Sequence, residues 1–362
     1  MDKEFNIEAR KLFSTLNKES ERLIKPTNCI LCGKNMQGTC NSHSIPIFIL
    51  KNISKNGFVY HLNGISQLDG ILGQKIGINK AGTFHYLCTE CDKKIFDDYE
   101  DENKLMTIYK NYTSKSLRKD DKKALLKIIL KSFLKEYHTK LLDLHRMTVI
   151  THDLCEMYNL YNKNKGKTEA LNVRDYKEEI DSCITHIYSD CDVKIYDMIL
   201  LPYTVSFASQ IVIALPRDMD GEIINDIYDH DENYRIQSLC WCVFPLREKT
   251  LIFILGLPES AERYKTFKEK YNKLNKPNRL KLLQTILFEG TEEIYLSENL
   301  YNILKNKEDF LTMASKGVSL NKSKIENTLM LFKSEMNICY YKTISENIFE
   351  RKFSKKALES KV

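Results

Sequence analysis

Glycine and proline are scarce in this chain, 13 and 7 among 362 residues, which excludes a fibrous or linker-dominated protein. Internal repeats and low-complexity tracts are missing as well. Charge of one sign is not dominant: 55 basic side chains stand against 49 acidic ones, so a net of +6 does not by itself mark a nucleic-acid binder. A Gly-rich phosphate loop, a G-x-S-x-G elbow and a dinucleotide fingerprint are all absent, which sets aside the enzyme classes they signal. The first residues, MDKEFNIEARKLF, lack the apolar stretch of a secretory signal. Eleven cysteines is an odd number, well below the density of a small disulfide scaffold. The expectation is a cytoplasmic protein, where paired cysteines more often hold metal than each other.

Apolar residues make up 43% of the chain, enough for a buried core, and the length suggests about two domains. Met198 to Leu215 runs 18 residues without a charge, the lower limit for a membrane span. From Val205 onward, however, its large apolar residues alternate (Val205, Phe207, Ile211, Ile213, Leu215), which is strand periodicity. The expectation is a buried strand and no membrane.

The pattern divides into an N-terminal helix over 1–26, closed by Pro26, a turn-rich module over 27–102 and an α+β domain of unknown role over 103–362. Within the last, helices are expected over 103–187 and 259–345 and a small sheet over 195–257. Asp120 or Asp121 is the expected N-cap of a strong helix running to Met147. Residues 162–168 (NKNKGKT) read as an exposed loop, 236–257 as a hairpin turning at 246–249, and the tail from Phe349 as loose. Residues 103–149 carry 12 basic against 4 acidic side chains, and Lys123, Lys127, Lys131 and Lys135 recur every four residues. Such a row is either a solvated helix face or a phosphate-contacting, nucleic-acid-binding one.

The strongest signals are Cys29-Ile-Leu-Cys32 and Cys88-Thr-Glu-Cys91. Each C-x-x-C turn presents two thiolates, and two turns complete a tetrahedral, structural Zn²⁺ site. Gly33 relieves the first turn, and the residues after Cys91 read as a helix start. A knuckle on a hairpin with the second pair at a helix start is the treble-clef arrangement. A rival ligand set is Cys29, Cys32, Cys40 and His43, leaving Cys88 and Cys91 for a second site with His85.

Between the two pairs lies Asn41-Ser42-His43-Ser44-Ile45-Pro46, and here the sequence resembles the zinc-containing branch of the HNH endonucleases. The resemblance covers about residues 27–100 and implies a ββα-metal module that hydrolyses phosphodiester bonds. It implies Cys29, Cys32, Cys88 and Cys91 as zinc ligands and His43 as general base. Asp92 would be the terminal ligand of a catalytic Mg²⁺ or Mn²⁺, and Asn79 loosely matches a middle Asn. Ser42 stands where the family has Asp or Glu, Asp92 replaces the usual Asn or His, and the spacer from His43 to Cys88 is longer than in compact members.

The resemblance implies nucleic acid as partner, DNA ahead of RNA, and by analogy bacterial defence against foreign DNA. Two readings stand beside the nuclease. One is a degenerate, zinc-stabilised module that binds nucleic acid through the lysine row without cutting. The other is a sensor or scaffold whose C-terminal domain meets a protein partner. Several features read as structural: the acidic run Asp97, Asp98, Glu100, Asp101 and Glu102, the pair Cys240 and Cys242, and the series His138, His145 and His152. Glu100, two turns past Asp92, is placed to assist a metal.

Overall fold

A computed structural model describes residues 15, 18–36, 40–62, 72–97, 99–150, 156–189, 191–229, 231–315, 319–322, 329–332 and 336–360. The chain is α+β with antiparallel sheets, and it divides into two compact units that interleave in sequence. The first comprises 1–44, 83–193 and 226–237, the second 45–82, 194–225 and 238–362.

In the first unit, helix α1 covers 18–23 and strand β1 (Ser42–His43) ends the opening stretch. The chain then contributes α2 (Ile47–Ile53) and the antiparallel strands β2 (Phe58–Leu62) and β3 (Gly73–Gly77) to the second unit. It returns at β4 (Thr83–Phe84), which pairs with β1, and continues through α3 (Thr89–Phe96), α4 (Glu102–Thr113), α5 (Lys119–Ile150) and α6 (Glu156–Tyr188). The expected module over 27–102 is thus split: its middle, 45–82, belongs with the second unit, and the long helices belong with its ends.

α5 and α6 lie antiparallel. The Cys183 thiol donates to the Leu126 carbonyl, Phe133 meets Tyr176 with ring centroids 6.3 Å apart, and Lys140 lies 4.0 Å from Glu169. Each step of seven on one helix answers a step of seven on the other, the period that keeps one face toward a partner helix. Residues 162–168 are therefore not a loop; they lie within α6. The local Gly, Asn and Lys composition is overridden by the continuity of a long helix pair. Asp121 does not cap α5 from the N-cap position. It sits three residues after Arg118, fully buried, and its carboxylate accepts from the Arg118 N–H at 3.0 Å and the Asn111 side chain at 2.8 Å. Burial alone would raise its pKa, but these donors and the Arg118 charge hold it below the ordinary carboxylate value. We expect Asp121→Ala to cost about 1–2 kcal/mol in chemical denaturation. Because the folded pKa is depressed, that contribution is complete above pH ~4 and is lost as pH falls through the folded pKa, so wild type and variant should converge in acid.

The second unit is built on a seven-stranded antiparallel sheet, ordered β3-β2-β9-β6-β7-β8-β5. Its further strands are β5 (Lys194–Leu201), β6 (Phe207–Ile213), β7 (Leu239–Pro245), β8 (Thr250–Gly256) and β9 (Ile294–Leu296). The charge-free run Met198–Leu215 is divided between β5 and β6, so strand replaces any span. No helix among the described residues is long and apolar enough to cross a membrane. Every residue of β6, β7 and β8 is buried. Trp241, fully buried, joins Leu280, Leu283, Ile286 and Leu287 of helix α7 (Lys276–Gly290) in one apolar cluster. Cys240 and Cys242 alternate with Trp241, their sulfurs 3.6 Å apart in the interior, as small core groups.

The region beyond Pro258 is less helical than its composition suggests, because β9 enters the sheet between β2 and β6, and β10 (Ser319–Lys322) pairs with β11 (Leu329–Phe332). The C-terminal tail is not loose. Phe349, Phe353 and Leu358 are buried, Ser206 donates to the Phe353 carbonyl at 3.0 Å, and Lys355 N–H donates to Thr204 at 2.8 Å. At the sheet edge Gly73 opposes Leu62, and a Cβ there would press on the His61 carbonyl. We expect Gly73→Ala to cost about 1–3 kcal/mol, read as a lower denaturation midpoint at unchanged slope.

Candidate metal centre

The first cysteine pair sits on a tight loop. Cys29 N–H donates to the Lys34 carbonyl at 2.9 Å, Gly33 N–H to Cys29 at 2.8 Å, and Gly33 takes φ +70°, a left-handed conformation open to glycine. Ile30 N–H donates to the Tyr86 carbonyl at 3.0 Å, which ties this loop to the segment carrying the second pair. There, Cys88 is the N-cap of α3, its sulfur accepting from the Cys91 N–H at 3.4 Å, so Cys91 lies on the first helical turn.

These two local geometries bring the sulfurs of Cys29, Cys32, Cys88 and Cys91 within 4.8 Å of one another. Cys32 and Cys88 are 3.8 Å apart. A tetrahedral ion with metal–sulfur bonds of about 2.3 Å requires sulfur separations of about 3.8 Å, so the cluster has the dimensions to hold a metal ion. Among the described residues, no other group of three or more His, Cys, Asp or Glu brings its ligand atoms so close. Of the two ligand sets open in the sequence, the structure assembles the four cysteines.

Burial works against ionising Cys29, but N–H groups of Cys88, Cys32 and Leu31 donate to its sulfur and bring its pKa down to about 7. Cys91 moves the other way, pushed up by burial and by the neighbouring thiols. Four thiols at this spacing oppose each other's ionisation, and a divalent cation among them removes the opposition. Comparison with protein-family models, with curated proteins and with solved structures finds no match to this chain. What the centre does therefore rests on its own residues.

His43 is half-buried on β1, directly opposite Thr83 of β4. Directly opposed residues of an antiparallel pair share a face, so His43 and Thr83 point to one side of the ladder and buried Ser42 and Phe84 to the other. Asp92 follows Cys91 on α3. One of its oxygens lies 3.6 Å from the Lys131 ammonium and the other 3.7 Å from the Cys40 sulfur. Lys131 is only 2% exposed, lies 2.5 Å from Glu100 and sits over the rings of Phe96 and Tyr99. Burial first, then the Asp92 charge, raises the Cys40 pKa and keeps that thiol protonated. Asn79 is exposed in a turn of the inserted segment.

The lysine row is not a solvated face. Lys127 and Lys131 are buried, Lys135 donates to the Thr83 carbonyl at 3.4 Å, and Lys123 lies over the Tyr188 ring. Four-residue spacing held these lysines near one stripe, but its members meet different neighbours: Lys131 faces the carboxylates of Asp92 on α3 and Glu100 in the turn after it, Lys135 the backbone of β4 and Lys123 a ring of α6. Glu100 belongs to this ion pair, and Asp101 caps α4 by accepting from the Lys104 N–H at 2.8 Å. Asp98 and His152 lie outside the described residues. His138, seven residues after Lys131 and on the same helical stripe, is buried against Tyr86, with His85 edge-on at 6.3 Å.

Proposed function

We propose that the four-cysteine cluster holds a structural Zn²⁺, that the first unit is an HNH-like treble-clef module, and that the chain is a metal-dependent nuclease using His43. One observation carries this reading. The register that sets His43 against Thr83 lies between the two cysteine pairs, and α3 follows directly, giving knuckle, two paired strands and helix in the order of a ββα-metal module. With four thiolates the zinc shell is closed, so its part is to fix the loop of Cys29 to the start of α3. His43, on the ladder face away from the core, would take the proton of the attacking water. A Mg²⁺ or Mn²⁺ ion would supply charge stabilisation at the scissile phosphate.

A second reading is favoured by Asp92. Its carboxylate already faces the Lys131 ammonium, an internal cation for the residue expected to meet the divalent ion. In that reading the module keeps its zinc and grips nucleic acid without cutting it.

Incubation of the purified chain with plasmid DNA and with RNA, in Mg²⁺ or Mn²⁺, separates the two. The nuclease reading expects cutting that falls by about 10²–10⁴ in His43→Ala at unchanged zinc content. Cutting that survives His43→Ala, or no cutting of either polymer, rejects it in favour of a zinc-stabilised binding module.

A further inference from the structure

The first unit contains a cavity of about 390 Å³ between α1 and the residues around β4. Three cations, Lys18, Arg22 and Lys25, line one side, while Thr83, His85 and His138 line the other. Glu21 is the one acid among the lining residues. Lys18, Arg22 and Lys25 follow i, i+4, i+7 spacing, so they share one stripe of α1 and the turn after it. Ser20 and Ile24 are buried, and the Tyr86 hydroxyl donates to the Ile24 carbonyl at 3.3 Å, which anchors the end of α1 beside the cavity. Among the described residues, no carboxylate forms an ion pair with Lys18, Arg22 or Lys25.

We infer that this cavity is a phosphate-binding site for the backbone of nucleic acid. The charge is right for an anion, and guanidinium and imidazole donors suit phosphate oxygens. The volume lies at the small end of ligand pockets, roughly 300–1,000 Å³, and admits a phosphate with its sugar rather than a large apolar ligand. The three cations are exposed, so a chain can continue past them. From Lys18 to Lys25 the helix advances about 10 Å, a length over which one DNA strand presents about three phosphates. Thr83 belongs both to the cavity and to the ladder position opposite His43, so a phosphate held here is on the side of the ladder that His43 faces. The inference rests on the preceding reading for the identity of the polymer and for the role of His43, but it does not require cutting.

The test is binding of a fluorescent oligonucleotide by the full chain, followed by anisotropy over a salt series. Arg22→Gln, Lys25→Gln and the double variant are compared with Lys356→Gln, an exposed lysine of the second unit. Each cavity substitution should weaken binding several-fold and lower the slope of log K against log salt by about 1, the double variant by about 2, while Lys356→Gln changes neither. Zinc content and the circular dichroism spectrum should stay at wild-type values in all four, because these side chains are exposed. A double variant that binds with unchanged affinity and slope overturns the site. So does binding of inorganic phosphate or a mononucleotide with no binding of the oligonucleotide. Cavity-dependent binding without cutting rejects the nuclease reading and keeps the site; cutting indifferent to Arg22 and Lys25 does the reverse.

Discussion

The Cys91→Ser variant is expected to lose the zinc proposed for the four-cysteine cluster and, with it, the fold of the first unit. Wild-type protein should carry one equivalent of zinc by elemental analysis, and the variant close to none. Apart from the metal, the two cysteine loops are joined directly by the Ile30 N–H to Tyr86 carbonyl bond and the exposed Lys34–Glu90 ion pair. Cys29 to Cys32 is a tight turn secured by backbone hydrogen bonds, and the start of α3 is secured by its own N-cap. A shared ion would join these two local structures by four metal–sulfur bonds. Structural zinc contributes on the order of 10 kcal/mol to small thiolate sites, comparable with the whole stability of a typical domain. A serine hydroxyl does not ionise at neutral pH, so it cannot replace the fourth thiolate, and the remaining three would leave an open position. Cys339→Ser is the control. That thiol donates to the Met219 carbonyl in the second unit, a bond that a hydroxyl retains, and zinc content should not change. Full zinc occupancy in Cys91→Ser would reject the four-cysteine site.

Lys131→Met should destabilise the first unit by about 3 kcal/mol, measured by denaturant unfolding. Methionine fills similar space, so the loss is electrostatic rather than a cavity. Lys131 is 2% exposed, with Glu100 at 2.5 Å and Asp92 at 3.6 Å. Removing the ammonium leaves two carboxylates, 32% and 22% exposed, without their shared cation. Breaking one side of a fully buried pair costs about 3–5 kcal/mol, and the partial solvation of both acids places this case at the low end. Glu100→Gln should cost less, because the ammonium keeps Asp92. A Lys131→Met midpoint within error of wild type would mean that the pair contributes nothing.

These same residues show where sequence reading stops. The cysteine pairs were legible because a metal site imposes short, local spacing, and the β7–β8 hairpin was legible because alternation and turn chemistry are local too. Lys131 belonged to a row that read as either solvated or phosphate-contacting, because its carboxylate partners lie 31 and 39 residues away, and nothing in helical periodicity distinguishes a lysine facing water or phosphate from one facing Glu100. The tail of Phe349, Phe353 and Leu358 is rich in charge, yet three apolar side chains at that spacing suffice to dock it. The split of 27–102 was hidden for another reason. Strand β2 finds its neighbour β9 more than two hundred residues later, and composition carries no mark of such a distant pairing.

That pairing also sets an order of events during synthesis. All four cysteines, and both β1 and β4, have been synthesised once residue 91 is added. The segment 45–82 enclosed between those strands must wait until residues 294–296 appear before β2 can take its place inside the sheet. Metal can therefore be captured early, around a loop whose own contents are still unpaired on one side. A metal held by the four cysteines would then act as a clasp, holding both ends of the unfinished segment together while about three-quarters of the chain is still to come.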